Sequence, residues 1–169
     1  MTARLAAAAL TIAMPLLGAH GQTVQWVTGS GVHYFTTAVV HSTQPTPTGM
    51  IQRSTETVDL TGDLTGRLVY QPISEFDFAA GTLVNTGRQV FSGTILGSDP
   101  VLMYDDEFRF EVDLNAGTMS GSVYLTEMGG GPKRRCTLQV TGTGTTADGN
   151  ATFSYAGQCR LGNTGMPVQ

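Results

Sequence analysis

Alternation of apolar and polar residues is the clearest pattern along this chain. In the stretch EFRFEVDL, four apolar residues fall on one side of an extended strand and four charged residues on the other. The apolar set is Phe108, Phe110, Val112 and Leu114, and the charged set is Glu107, Arg109, Glu111 and Asp113. Beyond residue 21, no run of ten or more residues has apolar positions at helical spacing. We therefore expect an all-β protein whose strands have one buried and one solvated face.

Two stretches with similar ends predict hairpins. Residues 58–70 and 112–124 both begin with VDL, contain a turn followed by a glycine, and end in VY. We interpret the likeness as shared turn chemistry, with an internal repeat as the alternative. If Asn115 and Ala116 centre the second turn, Phe110 faces Gly121 and Val112 faces Met119, and an aromatic ring opposite a glycine suits a curved sheet.

The remaining strands are predicted at regular spacing, with turn residues between them. They cover residues 24–28, 33–41, 49–57, 68–78, 88–96 and 101–104. Pro72 lies inside one of these runs, which predicts an edge strand or a break near Gln71. Seven to nine short strands indicate one domain, residues 22–169, folded as an antiparallel β-barrel of about eight strands. A β-sandwich is the alternative.

The two cysteines lie in the last predicted hairpin. A turn at Ala147 and Asp148 places Cys136 directly opposite Cys159, and the same register puts the apolar residues of both strands on one face. In this register Val140 faces Tyr155, Leu138 faces Gly157 and Gly142 faces Phe153. Directly opposed strand residues are close enough to form a disulfide, so we predict a Cys136–Cys159 bond.

The first 21 residues have the layout of a secretory signal peptide. Arg4 precedes an apolar run over residues 5–17, and small residues at Ala19 and Gly21 fit a cleavage site after Gly21. The run is shorter than the roughly 20 residues that a membrane-spanning helix needs, and no later segment comes close. We expect a secreted or periplasmic protein without a transmembrane span, in a compartment where the disulfide can form.

Charge and motifs narrow the range of functions. The formal net charge is −4 and charged residues make up 13% of the chain, which argues against a nucleic-acid partner. A short basic cluster, Lys133 to Arg135 with Arg160 near it through the disulfide, is interpreted as solvated surface, with an anion site as the minor alternative. No cofactor or metal motif is found, since His33 and His41 lack a nearby carboxylate partner.

Acidic residues beside aromatic ones are the candidates for chemistry. In YDDEF, Asp106 would share a face with Tyr104 and Phe108, and if it lay inside the barrel mouth it would be fit for proton transfer. We interpret this position as a solvated strand entrance, since acids are seldom buried without a partner, and the interior placement is the alternative; Glu75 and Asp77 are ambiguous in the same way. Asn150 begins an NAT glycosylation sequon on the predicted turn.

Residues 88–128 resemble the allene oxide cyclase and dirigent families. The resemblance rests on a strand ending in Gly93, the aromatic–acidic step YDDEF, and the hairpin AGTMSG before another apolar strand. It implies an eight-stranded antiparallel barrel with a lumen for an apolar ligand, often assembled as an oligomer. The catalytic residues of these families are not carried over to positions in this sequence.

Three functions are therefore expected, in order. The first is a non-catalytic exported barrel that binds a small apolar molecule or associates with copies of itself, with aromatic residues in the lumen. The second is a cyclase or isomerase acting on an apolar substrate, with Asp106 moving a proton. The third is a sandwich for adhesion or assembly with apolar patches on its outer face. The ligand-binding candidates are Tyr70, Tyr104, Phe108, Phe110 and Tyr124.

Overall fold

The computed structural model describes residues 23–129 and 133–162, and this part of the chain is all-β. Its strands are β1 (Thr23–His33), β2 (Val39–Pro45), β3 (Gly49–Gly62), β4 (Leu64–Asp77), β5 (Thr82–Ile95), β6 (Val101–Asp105), β7 (Arg109–Asp113), β8 (Thr118–Glu127), β9 (Arg135–Thr145) and β10 (Ala151–Leu161). A 3-10 turn, Phe35–Thr37, joins β1 to β2.

The strands close into an antiparallel barrel. Its order is β1, β10, β9, β8, then β6 and β7 lying end to end, then β5, β4 and β3, which pairs again with β1. This gives eight strand positions, as predicted, and the sandwich alternative is wrong because the β1–β3 pairing closes the sheet. Strand β2 lies outside the barrel, where it pairs with the first half of β3.

The core fills the inside of the barrel with inward-pointing side chains from the strands. The largest fully buried apolar side chains are Phe91, Phe108, Leu64, Ile95, Met103, Leu125 and Val27. The predicted pairs Phe110–Gly121 and Val112–Met119 are confirmed. A Cβ atom on Gly121 would lie 2.2 Å from the Phe110 ring, so the ring occupies the space that a side chain at this position would need.

The last hairpin has the predicted register and the predicted disulfide. Cys136 is bonded to Cys159, and Leu138 faces Gly157 while Val140 faces Tyr155. A register shift between Thr152 and Phe153 displaces the pairing by one residue nearer the turn, without disturbing the predicted pairs. The bond joins β9 to β10, and β1 pairs with the other side of β10, where Gln25 lies opposite Cys159.

Two local predictions are wrong. Residues 33–41 do not form one strand, because β1 ends at His33, the 3-10 turn follows, and His41 lies at a bulge in β2. Pro72 is not on an edge strand, since β4 runs through it to Asp77 with β3 and β5 on its two sides, and the predicted break near Gln71 is limited to the pairing with β3. The pairing of β3 with β4 skips Gln71 and Pro72, which accommodates the missing proline N–H.

The predicted signal peptide, residues 1–21, lies outside the described residues and stays a prediction. Across residues 23–129 and 133–162, the structure contains no helix long and apolar enough to cross a membrane.

Candidate functional site

A small cavity lies inside the barrel. Its volume is about 50 Å³, and most of its lining is aliphatic or aromatic. The apolar lining comprises Val58, Leu60, Leu68, Phe110, Met119, Val123, Leu125, Leu138, Val140 and Phe153. His33, Asn85 and Gln89 contribute polar groups to the same lining, together with Tyr70 and Tyr155. The cavity is thus an apolar space with a few polar contacts, as small-molecule sites usually are.

A buried carboxylate and an imidazole meet beside this cavity. Glu56 is only 7% exposed, and its two carboxylate oxygens contact His33 Nε2 and the Ser54 hydroxyl. His33 reaches Glu56 because the closing β1–β3 pairing places the end of β1 against the middle of β3. Sequence reasoning missed Glu56, although its alternation with Val58 and Leu60 in ETVDL placed it on the buried face.

Tyr70 packs against this acid–imidazole pair. Its ring lies edge-on to the His33 ring at 5.2 Å between centroids, and 4.9 Å from the Phe108 ring. Burial raises the pKa of the Tyr70 hydroxyl well above its usual range, and the nearby carboxylates of Glu56 and Asp105 raise it further. The Tyr70 side chain therefore stays a neutral phenol in the folded protein.

The raised pKa of Tyr70 predicts a loss of stability in alkaline solution. Above pH about 10, an unfolded tyrosine loses its proton while the folded Tyr70 keeps it, so folding becomes less favourable as the pH rises. The free energy of unfolding, measured by urea denaturation from pH 8 to 11, is expected to fall less steeply in Tyr70→Phe than in the wild type. The exposed Tyr124→Phe serves as the control and is expected to follow the wild type. Equal slopes for Tyr70→Phe and the wild type would contradict this interpretation.

Asp105, not Asp106, is the buried carboxylate of the YDDEF motif. It is 2% exposed and accepts hydrogen bonds from Gln89 Nε2 at 2.9 Å, the Tyr124 backbone N–H at 2.9 Å and the Glu107 backbone N–H at 2.8 Å. Between β6 and β7 the chain carries one more residue than β5 opposite it, so the inward positions change from odd to even numbers. Asp105 holds this bulge in place, and its three donors give it a structural role.

The bulge separates the predicted site residues into two groups. Tyr70, Phe108 and Phe110 lie in the interior, where Tyr70 and Phe110 line the cavity and Phe108 packs on Tyr70. Asp106 is exposed, and with Tyr104 and Tyr124 it borders grooves on the outer face of the barrel. The structure therefore agrees with the solvated interpretation of Asp106, and the interior alternative is wrong. The continuous alternation from Tyr104 to Leu114 on which it rested is broken by the bulge.

Asn85 carries the one buried side-chain oxygen or nitrogen atom that has no hydrogen-bond partner among the described residues. Its Oδ1 is shielded from solvent, and the side chain lines the cavity. Leaving a buried polar atom unpaired costs roughly 1–3 kcal/mol, so such an atom calls for an explanation in function or packing. Because the Asn85 side chain belongs to the cavity lining, this oxygen lies close to any molecule bound there.

The end of the barrel at the β3–β4 turn is closed by Tyr155. Its hydroxyl accepts a hydrogen bond from the Leu64 backbone N–H at 2.8 Å and lies 3.1 Å from the carbonyl oxygens of Thr61 and Leu64. At the opposite end of the barrel, Phe110 and Met119 line the cavity and are each only half-buried. Solvent therefore approaches the cavity past Phe110 and Met119.

The other candidate groups have local structural contacts. Arg134 forms an ion pair with Glu127 at 3.2 Å and donates a hydrogen bond to the Ser98 hydroxyl. Arg135 of β9 and Arg160 of β10 occupy opposite positions in the backbone pairing of these strands. Asn150 is 6% exposed, and its Oδ1 accepts a 2.6 Å hydrogen bond from the Thr36 hydroxyl, so the sequon asparagine is buried in the fold. Glu75 is exposed, and Asp77 accepts a hydrogen bond from the Ala80 N–H within the β4–β5 turn.

No cluster of three or more metal-ligating side chains occurs within residues 23–129 and 133–162.

The fold and site together define a closed antiparallel barrel with a small apolar cavity, lined in part by His33, and a buried His33–Glu56 pair beside it. No protein-family model matches the chain, and neither does any curated protein or solved structure. The resemblance of residues 88–128 to the allene oxide cyclase and dirigent families stays a prediction.

Proposed function

We propose that this barrel binds a small, mainly apolar molecule that carries one polar group. The observation that supports the proposal is the lining of the interior cavity. Ten apolar side chains surround the space. His33 and Asn85 also line it, and the Oδ1 of Asn85 has no hydrogen-bond partner among the described residues. Apolar walls supply affinity, and a few fixed polar groups orient the bound molecule.

The volume of the cavity limits the size of this molecule. At about 50 Å³ it is well below the roughly 150 Å³ of an engineered protein cavity that takes up benzene. A molecule of a few heavy atoms fits with little change, and a larger one requires movement of Phe110 and Met119. Methionine adapts readily, because its unbranched side chain has three rotatable bonds.

Binding of 1-propanol, followed by the methyl NMR signals of the protein, tests the proposal. The signals of Leu60, Leu138 and Val140 are expected to shift in the wild type. Val140→Phe fills the cavity and is expected to abolish the shifts, whereas Val69→Phe, the same change on the outer face, is expected to leave them unchanged. Absence of shifts in the wild type, or their persistence in a folded Val140→Phe, would overturn the proposal. Native mass spectrometry of protein from its source would then identify the natural ligand.

Replacement of Asn85 by leucine is expected to raise the free energy of unfolding by about 1 kcal/mol and to weaken binding of 1-propanol. The change removes a buried acceptor that has no partner among the described residues. The folded state therefore loses the free-energy cost of burying an unpaired oxygen, and no hydrogen bond of that oxygen is broken. Gln89→Leu is the matched control on the same strand. It removes a donor from Asp105 and is expected to destabilise the protein by about 1–3 kcal/mol. Urea denaturation checks both, and destabilisation by Asn85→Leu would show that this amide contributes to the fold.

A second candidate function is proton transfer to and from carbon, as in an isomerase. It is favoured by the buried contact of Glu56 with His33 beside Tyr70, and it replaces Asp106 with Glu56 as the base. Deuterium exchange into acetone, the smallest ketone, is expected to be accelerated by the wild type and not by Glu56→Gln. No acceleration over buffer by the wild type would reject this candidate and leave the binding proposal standing.

A further inference from the structure

The outer face of the barrel carries two adjoining grooves that the interior site does not explain. Each has a volume of about 380 Å³, and Tyr104 and Asp106 border both. The first groove continues over Gln71 and Arg88, and the second over Tyr124 and Arg135. Each is within the range of about 300–1,000 Å³ of small-molecule sites, and together they cross several strands. We refer to the two as the outer groove.

Polar side chains in the outer groove are held in place by one another. The Arg88 Nε donates to Gln71 Oε1 at 3.1 Å, Gln71 Nε2 donates to the Thr55 hydroxyl at 3.4 Å, and His41 Nε2 contacts the same hydroxyl at 2.8 Å. These contacts form a row across β2, β3, β4 and β5. Because the row is internally bonded, the guanidinium of Arg88 is presented to a ligand at little further cost in conformational entropy.

Two tyrosines add flat apolar surface to this groove. Tyr104 of β6 faces Thr126 of β8, and Tyr124 lies two residues from Thr126 on the same outer face. The tyrosines are therefore diagonal cross-strand neighbours. Tyr104 is half-buried and Tyr124 is 39% exposed, so each keeps part of its ring available for contact. Tyrosine offers both an apolar face and a hydroxyl to a ligand.

The charges of the outer groove are nearly balanced. Arg53, Arg88 and Arg135 contribute positive charge, and Asp106 and Glu107 contribute negative charge. A polyanion such as nucleic acid requires clustered cations without interspersed carboxylates, so this groove does not suit one. A ligand with many neutral hydroxyl groups does suit it, because each hydroxyl can accept from a guanidinium and donate to a carboxylate.

From these features we infer that the outer groove binds an oligosaccharide. The C–H faces of successive sugar rings would stack on Tyr104 and Tyr124, while the sugar hydroxyls bond Arg88, Asp106 and Arg135. This inference is independent of the interior cavity, because the two sites lie on opposite sides of the barrel wall.

NMR titration of the purified protein with cellotetraose, chitotetraose and maltotetraose tests the inference. At least one of these probes is expected to shift backbone amide signals of β6 and β8 near Tyr104 and Tyr124. Tyr104→Ala is expected to weaken that binding about tenfold or more, and Tyr104→Phe to retain most of it because the ring remains. Asp106→Asn is expected to weaken binding without changing the fold, since Asp106 is exposed.

Trp26→Ala is the matched control. Trp26 is a surface aromatic residue, 63% exposed, on β1, which lies on the side of the barrel opposite β6. Its removal is expected to leave the titration unchanged. If none of the three probes shifts signals of the outer groove, or if a folded Tyr104→Ala binds as tightly as the wild type, the inference is overturned. Shifts confined to β1 would equally contradict it. None of these outcomes bears on binding of 1-propanol in the interior.

Discussion

Replacing Phe91 with alanine is expected to lower the free energy of unfolding by about 3–5 kcal/mol. Phe91 has no exposed surface, and in the sheet it pairs with Leu68 on one side and Met103 on the other. Its ring also lies against Gly93, where an added Cβ would come within 2.6 Å of it. Truncation removes a whole ring from a closed interior whose strands cannot easily move inward, so a cavity remains.

Urea denaturation with the disulfide intact measures this effect. The matched control is Leu102→Ala, which removes an apolar side chain from the neighbouring strand at a position that is 44% exposed. That change is expected to cost less than about 1 kcal/mol. Similar losses for the two variants would mean that Phe91 does not lie inside a closed barrel.

Replacing both cysteines with alanine is expected to cost roughly 3 kcal/mol of stability. The bond closes a loop between residues separated by 23 positions, and cross-linking a loop of that size restricts the unfolded chain by about this amount. Both cysteines are buried, so alanine leaves the interior face apolar. The loss is therefore expected to come mainly from the missing cross-link.

A reductant separates the bond from the side chains. Dithiothreitol is expected to lower the urea midpoint of the wild type towards that of the Cys136→Ala/Cys159→Ala variant and to leave the variant unchanged. An equal response of the two proteins, or an intact mass showing two free thiols in the untreated wild type, would rule out the disulfide.

The sequence was most informative where two independent constraints acted on one hairpin. The opposed cysteines and the single apolar face both required the same pairing of β9 with β10, and that pairing is present. The bulge near Thr152 did not disturb it, because the bulge lies between the predicted pairs and the turn. The same reasoning found the Phe110–Gly121 pairing from the turn at Asn115 and Ala116.

Prediction of the site failed where one extra residue reversed the alternation. In YDDEF, uninterrupted alternation placed Asp106 inside, whereas the bulge after β6 places Asp105 inside and Asp106 outside. Three consecutive acids between Tyr104 and Phe108 leave no apolar residue to indicate which of them points inward. The local pattern of apolar and polar residues could not reveal the bulge, because its cause is the hydrogen bonding of Asp105 to Gln89 and to the backbone of β8.

The contact between His33 and Glu56 could not be predicted from the sequence, for a different reason. His33 and Glu56 are 23 residues apart, and they meet because β1 pairs with β3 to close the barrel. Closure is a property of the whole sheet that no single stretch of sequence specifies. The apolar residues that alternate with Glu56 indicated its burial, but nothing in the sequence named His33 as its partner.

Closure of the sheet is the central claim, and NMR cross-relaxation between backbone protons of β1 and β3 tests it most directly. Contacts between Gly31 and Leu60 and between Val32 and Asp59 are expected within one chain, alongside contacts between Val27 and Gly157 from the β1–β10 pairing. A spectrum with the β1–β10 contacts but without those between β1 and β3 would show an open sheet. The interior cavity, the His33–Glu56 pair and the binding function proposed for them would then lose their structural basis.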